Sequence, residues 1–547
     1  MPDASPDTGK TLLKNGFIAD GTGNPGFAGS LIIGNGRIES VIKGIWEESE
    51  EPFQSVTDCA GLVIAPGFID MHSHMDWYLA SDKDSRYKTP FIKQGITTMV
   101  AGNCGYSAAG LLKGSPHMGL LENNLFKSGF DNIHWNSLEE YYRVVGETGL
   151  NYNLVMLAGH GTARTSVCGY SPVPSAGESA LIRSLLDGSM QQGAAGVSFG
   201  LQYEPGQYCT KEEIAQTARL VKDRNKLLTA HARAYSNISG DYPLIPFGRA
   251  HNLKAIDELL QAARETGVKL QISHLIFVGN ATHRTCDAAL KLIDKAIGEG
   301  LDVSFDTYGH HCGVSLINVF LPPWVKSKGA GVFSDKKEIA KIKLLMGVLF
   351  KLLGFDYSNI QVLDTRAEAV QQFNGMFLTE IAQKRGMTNF DNYIDLVMKT
   401  NSGAVVLMHN YTSGENLNAL IRHKASMFMT DSWMEPGEWQ NPGVFGSLPR
   451  ILQRIREKKL LSMEEAVYKL SYACAKKIGL KGRGALLPGN AADIAVLDWD
   501  NVRFDIAGAC KDGEPSGIKH VFVNGNHMVD DGQISERKKA GSVLRIS

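Results

Sequence analysis

The sequence has no excess of charge of one sign. Its 547 residues include 56 lysines and arginines against 57 aspartates and glutamates, a formal net charge of −1. Proteins whose main partner is a nucleic acid or an anionic membrane usually carry a basic surplus, so the balance argues against both partners. The chain is 43% hydrophobic and 21% charged, which is typical of a folded globular protein and excludes wholesale disorder.

Long hydrophobic runs and paired cysteines are also missing. No uncharged apolar run approaches the roughly 18 residues that a membrane span needs, and residues 1–10 are polar, unlike a signal peptide. The eight cysteines stand singly, without a CxxC pair, which indicates reduced thiols and not a disulfide framework. These features predict a cytoplasmic protein without a membrane partner. They leave the oligomeric state open, with a homo-oligomer as one option.

Eight short apolar runs recur along the middle of the chain, and most are followed by a helix-like stretch. They cover residues 62–72, 97–104, 153–160, 196–200, 226–231, 269–274, 302–308 and 426–431. Runs of this length and composition are typical of strands that are buried on both faces of a parallel sheet. Eight strand–helix units in succession predict an α/β fold, a (β/α)8 barrel.

The two ends of the chain have a different pattern. Residues 10–62 and 484–547 alternate apolar and polar positions and contain turn sequences, which is typical of β-hairpins. We therefore predict a small β-sandwich domain formed by residues 1–62 and 483–547, flanking a barrel at residues 63–482. The long interval before the eighth strand predicts a lid or insertion at about residues 325–400. A packing elaboration remote from the chemistry is the alternative.

Metal-ligating residue types collect at the predicted strand ends. In a (β/α)8 barrel these ends meet at the catalytic mouth, and a catalytic zinc needs about three His, Cys or carboxylate ligands. The candidate metal ligands are His72, His74, Cys104, His231, His274 and Asp431. Taken singly, each has a plain structural explanation, such as a hydrogen-bonded histidine, a buried thiol or a helix cap. Six such residues at the mouth of one barrel favour a metal site.

Several motifs resemble one known family. Ala65-Pro-Gly-Phe-Ile-Asp-Met-His-Ser-His74 is similar to the first-strand signature of the amidohydrolase superfamily. Within that superfamily the D-aminoacylase (N-acyl-D-amino-acid deacylase) family is resembled by the segments 102–105 (Gly-Asn-Cys-Gly), 157–164, 200–206, 321–324 and 483–493. The similarity covers roughly residues 10–545. It implies a TIM-type metal-dependent hydrolase barrel and a small-molecule amide substrate.

The resemblance also implies how the metal is held. Dihydroorotase-like and urease-like relatives bridge two metals with a carboxylated lysine on the fourth strand, but residues 196–200 contain no lysine. The family therefore implies one tightly bound Zn²⁺ on Cys104, His231 and His274, and a second, weaker position on His72, His74 and Asp431, with Cys104 as the bridge. It also implies that Asp431 is the general base, which takes the proton of the water and passes it to the departing amine.

On the substrate side the sequence departs from that family. His160, Arg233 and Tyr308 are candidate substrate-binding residues, although His160 and Arg233 have equally good structural explanations. The usual His-His-Lys, Tyr-Pro-Tyr, Arg-x-Glu and His-Pro-Arg runs appear here as His-Leu-Ile (274–276), Tyr-Gly-His (308–310), Arg-Ala-Tyr (233–235) and Asn-Pro-Gly (441–443). Because cationic and tyrosyl groups are lost, we expect a less acidic, bulkier or more neutral substrate.

Three functions remain open on these residues. The first is a zinc amide hydrolase that deacylates N-acyl-D-amino acids or related N-acyl amides. The second is hydrolysis of a cyclic amide, imide or lactone in the same scaffold, which would use the same residues. The third is a non-catalytic assembly protein. The complete metal-ligating set argues against the third, because a protein that only binds partners has no need of it.

Overall fold

In the computed structural model, strands occur in the middle of the chain and at both ends. The structure describes residues 9–47, 52–81, 88–127, 132–243, 248–322, 324–325, 330–535 and 539–547. Numbered in chain order, the strands are β1 Thr11–Ile18, β2 Phe27–Gly34, β3 Arg37–Lys43, β4 Ser55–Asp58, β5 Val63–Pro66, β6 Phe68–Ser73, β7 Ile96–Ala101, β8 Asn153–Met156, β9 Ala158–Gly159, β10 Gly196–Gly200, β11 Leu227–His231, β12 Lys269–Ile272, β13 Val303–Thr307, β14 Gly313–Leu316, β15 Ile360–Asp364, β16 Val405–Met408, β17 Ser426–Phe428, β18 Ile494–Leu497, β19 Ile518–Val523, β20 Asn526–Asp530 and β21 Gln533–Ile534.

The two ends of the chain pair in one nine-stranded sheet. Its order is β21-β20-β19-β18-β5-β1-β2-β3, and β4 pairs with β1. The N- and C-terminal parts meet where β5 runs antiparallel to β18, with Ala65 opposite Ala495. The last residues instead return to the barrel, since Gly541 bridges Leu150 and Val543 bridges Leu154. The predicted β domain built from both chain ends is confirmed.

Parallel strands in the middle of the chain form the barrel. One sheet runs β17-β13-β12-β11-β10-β9 and another runs β6-β7-β8. The two sheets join on one side because β8 and β9 are halves of the same strand, interrupted at Leu157. On the other side, Ser73, the last residue of β6, makes a parallel bridge to Ser432 after β17. The predicted (β/α)8 barrel is therefore confirmed.

The first predicted strand, residues 62–72, is two strands in the structure. β5 belongs to the nine-stranded sheet, where it pairs with β1 and β18, and the barrel begins only at β6. The apolar pattern runs through both strands without a break, because both are fully buried. Burial on both faces removes the alternation that would have marked the change from one sheet to the other.

Helices cover the barrel strands on the outside. The α-helices are Asp76–Leu79, Met118–Glu122, Leu138–Thr148, His160–Cys168, Ala176–Gln191, Lys211–Asp223, His251–Thr266, Asn280–His283, Cys286–Gly298, Lys336–Leu353, Leu378–Arg385, Asn389–Lys399, Gly414–Arg422, Gly443–Lys458, Met463–Leu470 and Tyr472–Ile478. In Lys211–Asp223, for example, Ile214, Ala218 and Val221 are buried at three- and four-residue spacing. Thr210 caps that helix by accepting a hydrogen bond from the amide of Glu213.

The long interval before β17 has a small core of its own. β14, β16 and β15 form an antiparallel sheet, and apolar residues of the helix Lys336–Leu353 pack with Ile360, Val406 and Tyr393 in one buried cluster. The sequence pattern did not predict these three strands. Whether this unit acts as a lid stays a prediction. None of the helices in the described residues is long and apolar enough to cross a membrane.

Candidate metal centre

The loop after β7 carries Cys104 into the mouth of the barrel. Gly102 and Gly105 flank it with φ of +83° and +77°, and a Cβ atom at either position would meet backbone at 2.5–2.6 Å. Only glycine fits such a left-handed, tightly packed turn. Ser198 of β10 braces the loop, because its hydroxyl donates to the Gly102 carbonyl at 2.6 Å and accepts from the Gly105 amide at 3.0 Å. The fourth barrel strand therefore supports Cys104 and supplies no ligand.

His72, His74 and Asp431 converge on one point. His72 Nε2 lies 3.3 Å from His74 Nε2, and the Asp431 Oδ1 atom lies 3.4 Å from each of these nitrogens. A triangle with these edges has a circumscribed radius of about 1.9 Å, close to the ~2.0–2.1 Å of zinc–imidazole bonds. These three donors could therefore hold one ion of that size.

Cys104 joins this triangle to the other two histidines. Its Sγ atom lies 3.3 Å from His72 Nε2, 3.4 Å from His274 Nε2 and 3.7 Å from His231 Nδ1. The atoms of Cys104, His72 and His274 all lie within 4.8 Å of one another, as do those of the first triangle. The structure thus brings all six predicted ligands together around the sulfur, and His72 is shared between the two groups.

Three of the six candidate ligands have left-handed backbone. The φ angles are +52° for Cys104, +30° for His274 and +49° for Asp431. Residues other than glycine adopt this region at a cost of order 1–3 kcal/mol each, and such strain concentrates at functional sites. The surrounding fold therefore holds these side chains in place against a local conformational preference.

The electrostatics of the cluster favour anionic ligands. Burial disfavours the Cys104 thiolate, but His72 and His274 beside it place the pKa of the thiol well below its ordinary value. Burial likewise opposes ionisation of Asp431, yet the same two imidazoles lower the pKa of its carboxyl. A thiolate and a carboxylate among four imidazoles are the donors that a divalent zinc ion requires. The residues present therefore fit a metal centre.

Two buried aspartates position the ligands from behind. Asp70, on β6, accepts hydrogen bonds from the His72 amide and from the amide and hydroxyl of Thr430, which ties the first barrel strand to the eighth. Its burial raises the pKa of the carboxyl to about 7. Asp306, on β13, accepts from the His274 amide at 2.5 Å, and its Oδ1 atom lies 3.6 Å from His72 Nδ1.

Gln202 fixes the tautomer of His231. The amide oxygen of Gln202 lies 3.0 Å from His231 Nε2, so this nitrogen carries the proton and Nδ1 directs its lone pair toward the Cys104 sulfur. Such outer hydrogen bonds orient metal-ligating histidines. Sequence reasoning did not single out Gln202, although it lies in the quoted motif 200–206, directly after the fourth strand.

Aromatic rings wall the cluster on one side. Phe126 stacks on the His74 imidazole with ring centroids 3.9 Å apart, and Trp433 meets the same imidazole edge-on at 5.4 Å. Tyr203 packs edge-on against His231 at 5.0 Å and donates its hydroxyl to the Cys104 carbonyl at 2.7 Å. These contacts restrict the imidazole rings and exclude water from that side of the metal centre.

Comparison with known proteins agrees with this geometry. The model of the amidohydrolase family matches residues 55–528. The chain belongs to the amidohydrolase family. It is 28% identical to the D-aminoacylase of Alcaligenes xylosoxydans xylosoxydans over 535 residues, which are 97% of each chain. It is also 28% identical to the N-acyl-D-glutamate deacylase of the same organism over 537 residues, 98% of this chain and 96% of that one.

A solved structure is similar to this chain over nearly its whole length. The N-acyl-D-glutamate deacylase of Bordetella bronchiseptica, in complex with zinc and a phosphonate inhibitor, superposes with a TM-score of 0.77 at 26% identity. The match covers 98% of this amidohydrolase and 100% of that chain. The present chain is therefore a metal-dependent amidohydrolase that acts on carbon–nitrogen bonds other than peptide bonds.

The three candidate substrate-binding residues of this amidohydrolase lie in different surroundings. Arg233 is paired with Glu258 at 3.0 Å and donates to two backbone carbonyls, an arrangement that supports its structural explanation. His160 Nε2 lies 3.3 Å from a Glu213 carboxylate oxygen. It lines a cavity of about 200 Å³ whose described lining includes none of the six candidate metal ligands.

Tyr308 lies beside the metal centre. Its hydroxyl is buried and makes no hydrogen bond among the described residues. Together with His310, Asn441 and Asp431 it lines a small pocket, and both ring nitrogens of His310 are likewise buried without a partner there. Sequence reasoning did not single out His310. Its position next to Asp431 depends on the path of the loop after β13, which no local pattern reveals.

Proposed function

We propose that this amidohydrolase is a zinc-dependent deacylase that cleaves the carbon–nitrogen bond of N-acyl-D-amino acids or related N-acyl amides. The observation that carries the proposal is the convergence of Cys104, four imidazoles and Asp431, with Asp431 also facing the pocket that holds Tyr308. The preference for the D-configuration rests on the relatives, whose names are D-aminoacylase and N-acyl-D-glutamate deacylase.

The six ligands divide into a stronger and a weaker position. Cys104, His231 and His274 would hold the tightly bound zinc, and His72, His74 and Asp431 would hold a second one, with Cys104 able to bridge. A bound zinc ion polarises an amide carbonyl and brings the pKa of water from about 15.7 toward ~7. Tight binding at Cys104 is supported by its thiol pKa, which the neighbouring imidazoles lower against burial.

Asp431 is the proposed general base and acid. Its carboxylate lies 3.4 Å from the His72 and His74 imidazole nitrogens. The same side chain also lines the pocket beside Tyr308, and 18% of it is exposed. A group with access to both sides can take a proton from the attacking water and deliver it to the amine as the bond breaks. The low pKa of the Asp431 carboxyl keeps it ionised for the first of these steps.

The residues beside Asp431 favour a substrate whose amino-acid side chain carries no carboxylate. The described lining of the small pocket there consists of Tyr308, His310, Cys312, Gly313, Thr430, Asp431 and Asn441, which include no lysine or arginine. Burial places the pKa of the Tyr308 hydroxyl well above its usual value, so this group stays a neutral donor. It can donate to a substrate oxygen, but the described lining itself contains no fixed cation to pair with a side-chain carboxylate.

A panel of linear substrates tests this proposal. We expect zinc-loaded enzyme to release the amino acid from N-acetyl-D-methionine with a higher kcat/KM than from N-acetyl-D-glutamate, and to act little on the L-enantiomers. Chiral chromatography of the products measures both differences. A clear preference for the glutamate substrate would refute the pocket argument. Turnover of a cyclic amide such as a hydantoin, with no turnover of linear amides, would refute the deacylase.

We also propose a cytoplasmic location. All eight cysteines are buried and unbridged, which supports a reducing compartment. Cell fractionation tests this: the protein is expected with the soluble cytoplasmic fraction, and recovery from a secreted fraction would contradict it.

A further inference from the structure

A second group of metal-ligating side chains lies on the hairpin of β19 and β20, in the nine-stranded sheet. It consists of His520, His527 and Asp530, whose ligand atoms lie within 4.8 Å of one another. We propose that this triad binds one divalent transition-metal ion of the zinc class. The site is separate from the candidate metal centre, since it belongs to the nine-stranded sheet and shares no residue with the barrel.

A β-bulge brings the three side chains to one face of the hairpin. Val521 pairs with Val529, which places His520 opposite Asp530, and the register then shifts so that Phe522 pairs with His527. In a regular strand, residues 527 and 530 would point to opposite faces. The extra residue of a bulge restores them to the same face, a recognised way of re-aiming a side chain.

The distances within the triad match the size of a metal ion. His527 Nε2 lies 3.3 Å from His520 Nδ1, and the Asp530 Oδ1 atom lies 3.2 Å from His520 Nδ1 and 3.8 Å from His527 Nε2. A triangle with these edges has a circumscribed radius of about 2.0 Å, the ~2.0–2.2 Å range of zinc bonds to imidazole and carboxylate. One ion can therefore contact all three donors with little movement.

Neighbouring side chains restrain the three donor residues and leave the triad open to solvent. The His527 ring stacks on Phe522 with centroids 4.3 Å apart and planes 10° from parallel. Lys519, the cation next to His520 in the chain, is paired with Asp531 at 2.8 Å. The Asp530 side chain is 76% exposed, so a metal ion can enter from solvent. Two imidazoles and one carboxylate are a sufficient protein ligand set for a zinc ion that completes its coordination with water.

Zinc binding to tag-free, metal-depleted protein tests the proposal. We expect wild-type protein to bind one more equivalent of Zn²⁺ than Asp530→Asn or His520→Asn protein, measured by equilibrium dialysis in a zinc buffer with elemental analysis. In isothermal titration with Zn²⁺, Asp530→Asn is expected to weaken this extra site by at least ~10-fold, since a ligating carboxylate is lost. The deacylase activity of both variants is expected to equal that of the wild type.

A matched control separates this site from general binding to surface histidines. His134 is an exposed histidine away from the hairpin, and His134→Asn is expected to keep the wild-type stoichiometry. The circular dichroism of metal-depleted Asp530→Asn should match that of the wild type, because the residue lies at the surface. Equal zinc stoichiometry and affinity in wild type and in the Asp530→Asn and His520→Asn variants would overturn the proposal.

Discussion

Replacing Asp431 by asparagine removes the proposed general base and leaves the shape of the site almost unchanged. The carboxylate lies 3.4 Å from both His72 Nε2 and His74 Nε2 and borders the small pocket that Tyr308 also lines. General acid–base catalysis contributes typically ~10²–10⁴ in rate, so we expect kcat to fall by that factor, about 3–5 kcal/mol of barrier. KM should change little, because asparagine keeps the volume and one oxygen of the side chain.

Three measurements make this prediction specific. Steady-state rates on an N-acetyl-D-amino acid give kcat and KM. Elemental analysis gives the zinc content, which should keep the equivalent proposed for Cys104, His231 and His274. Asp70→Asn is the matched control, since Asp70 is buried one layer below the ligands and only accepts hydrogen bonds from His72 and Thr430. The control should lose far less activity. An Asp431→Asn enzyme within tenfold of wild-type kcat at equal zinc content would refute the assignment.

Substitutions at three further residues test the support of the site and the stability of the fold. Cys104→Ala removes the sulfur that contacts three imidazoles, and it should weaken zinc binding at least ~100-fold in a chelator competition. Gln202→Leu should weaken it ~10–100-fold by releasing the tautomer of His231, whereas Gln202→Glu, which still accepts, should stay near wild type. Burial raises the pKa of the Glu213 carboxyl, but hydrogen bonds and charge, His160 foremost, lower it overall to about 2 from 4.5. The unfolded chain therefore binds more protons between pH 4.5 and 2, and up to ~3 kcal/mol of stability is lost as pH falls through that window. Glu213→Gln should lower Tm at pH 7, and its difference from the wild type should shrink below pH 4.5 in scanning calorimetry.

The sequence predicted the barrel and its site together, because the apolar runs that form the strands also end in metal-ligating residues. Each apolar run ends at the mouth, so the sequence alone predicts one shared site for His72, His74, Cys104, His231 and His274. The structure brings the four histidines and Asp431 around the Cys104 sulfur. The carboxyl ends of the strands of a closed barrel all meet at one mouth. Residues at the ends of separate strands can therefore be predicted to lie together, although they are far apart in the sequence.

Features that depend on contacts between distant segments were not predicted. The break between β5 and β6 is hidden because both strands are buried on both faces. The three strands β14, β15 and β16 pair across long connections, and short apolar runs there resemble helix segments. Gln202 and His310 owe their positions to loop paths, and a loop path follows from packing against the whole barrel mouth and not from local propensity.

The triad on the β19–β20 hairpin was also not predicted from the sequence. His520, His527 and Asp530 are separated by seven and three residues, a spacing that predicts no common face on regular strands. Only the register shift between β19 and β20 aligns them. A bulge is set by cross-strand pairing, so its position could not be read from either strand alone.

Zinc-dependent release of a D-amino acid tests the central claim most directly. Metal-depleted protein is titrated with Zn²⁺ in the presence of N-acetyl-D-methionine, and free D-methionine is measured by chiral chromatography. We expect no release without metal and full activity when the tight position holds about one zinc ion per chain. Metal-independent release, or no release of any D-amino acid from N-acyl substrates by fully zinc-loaded protein, would contradict the account.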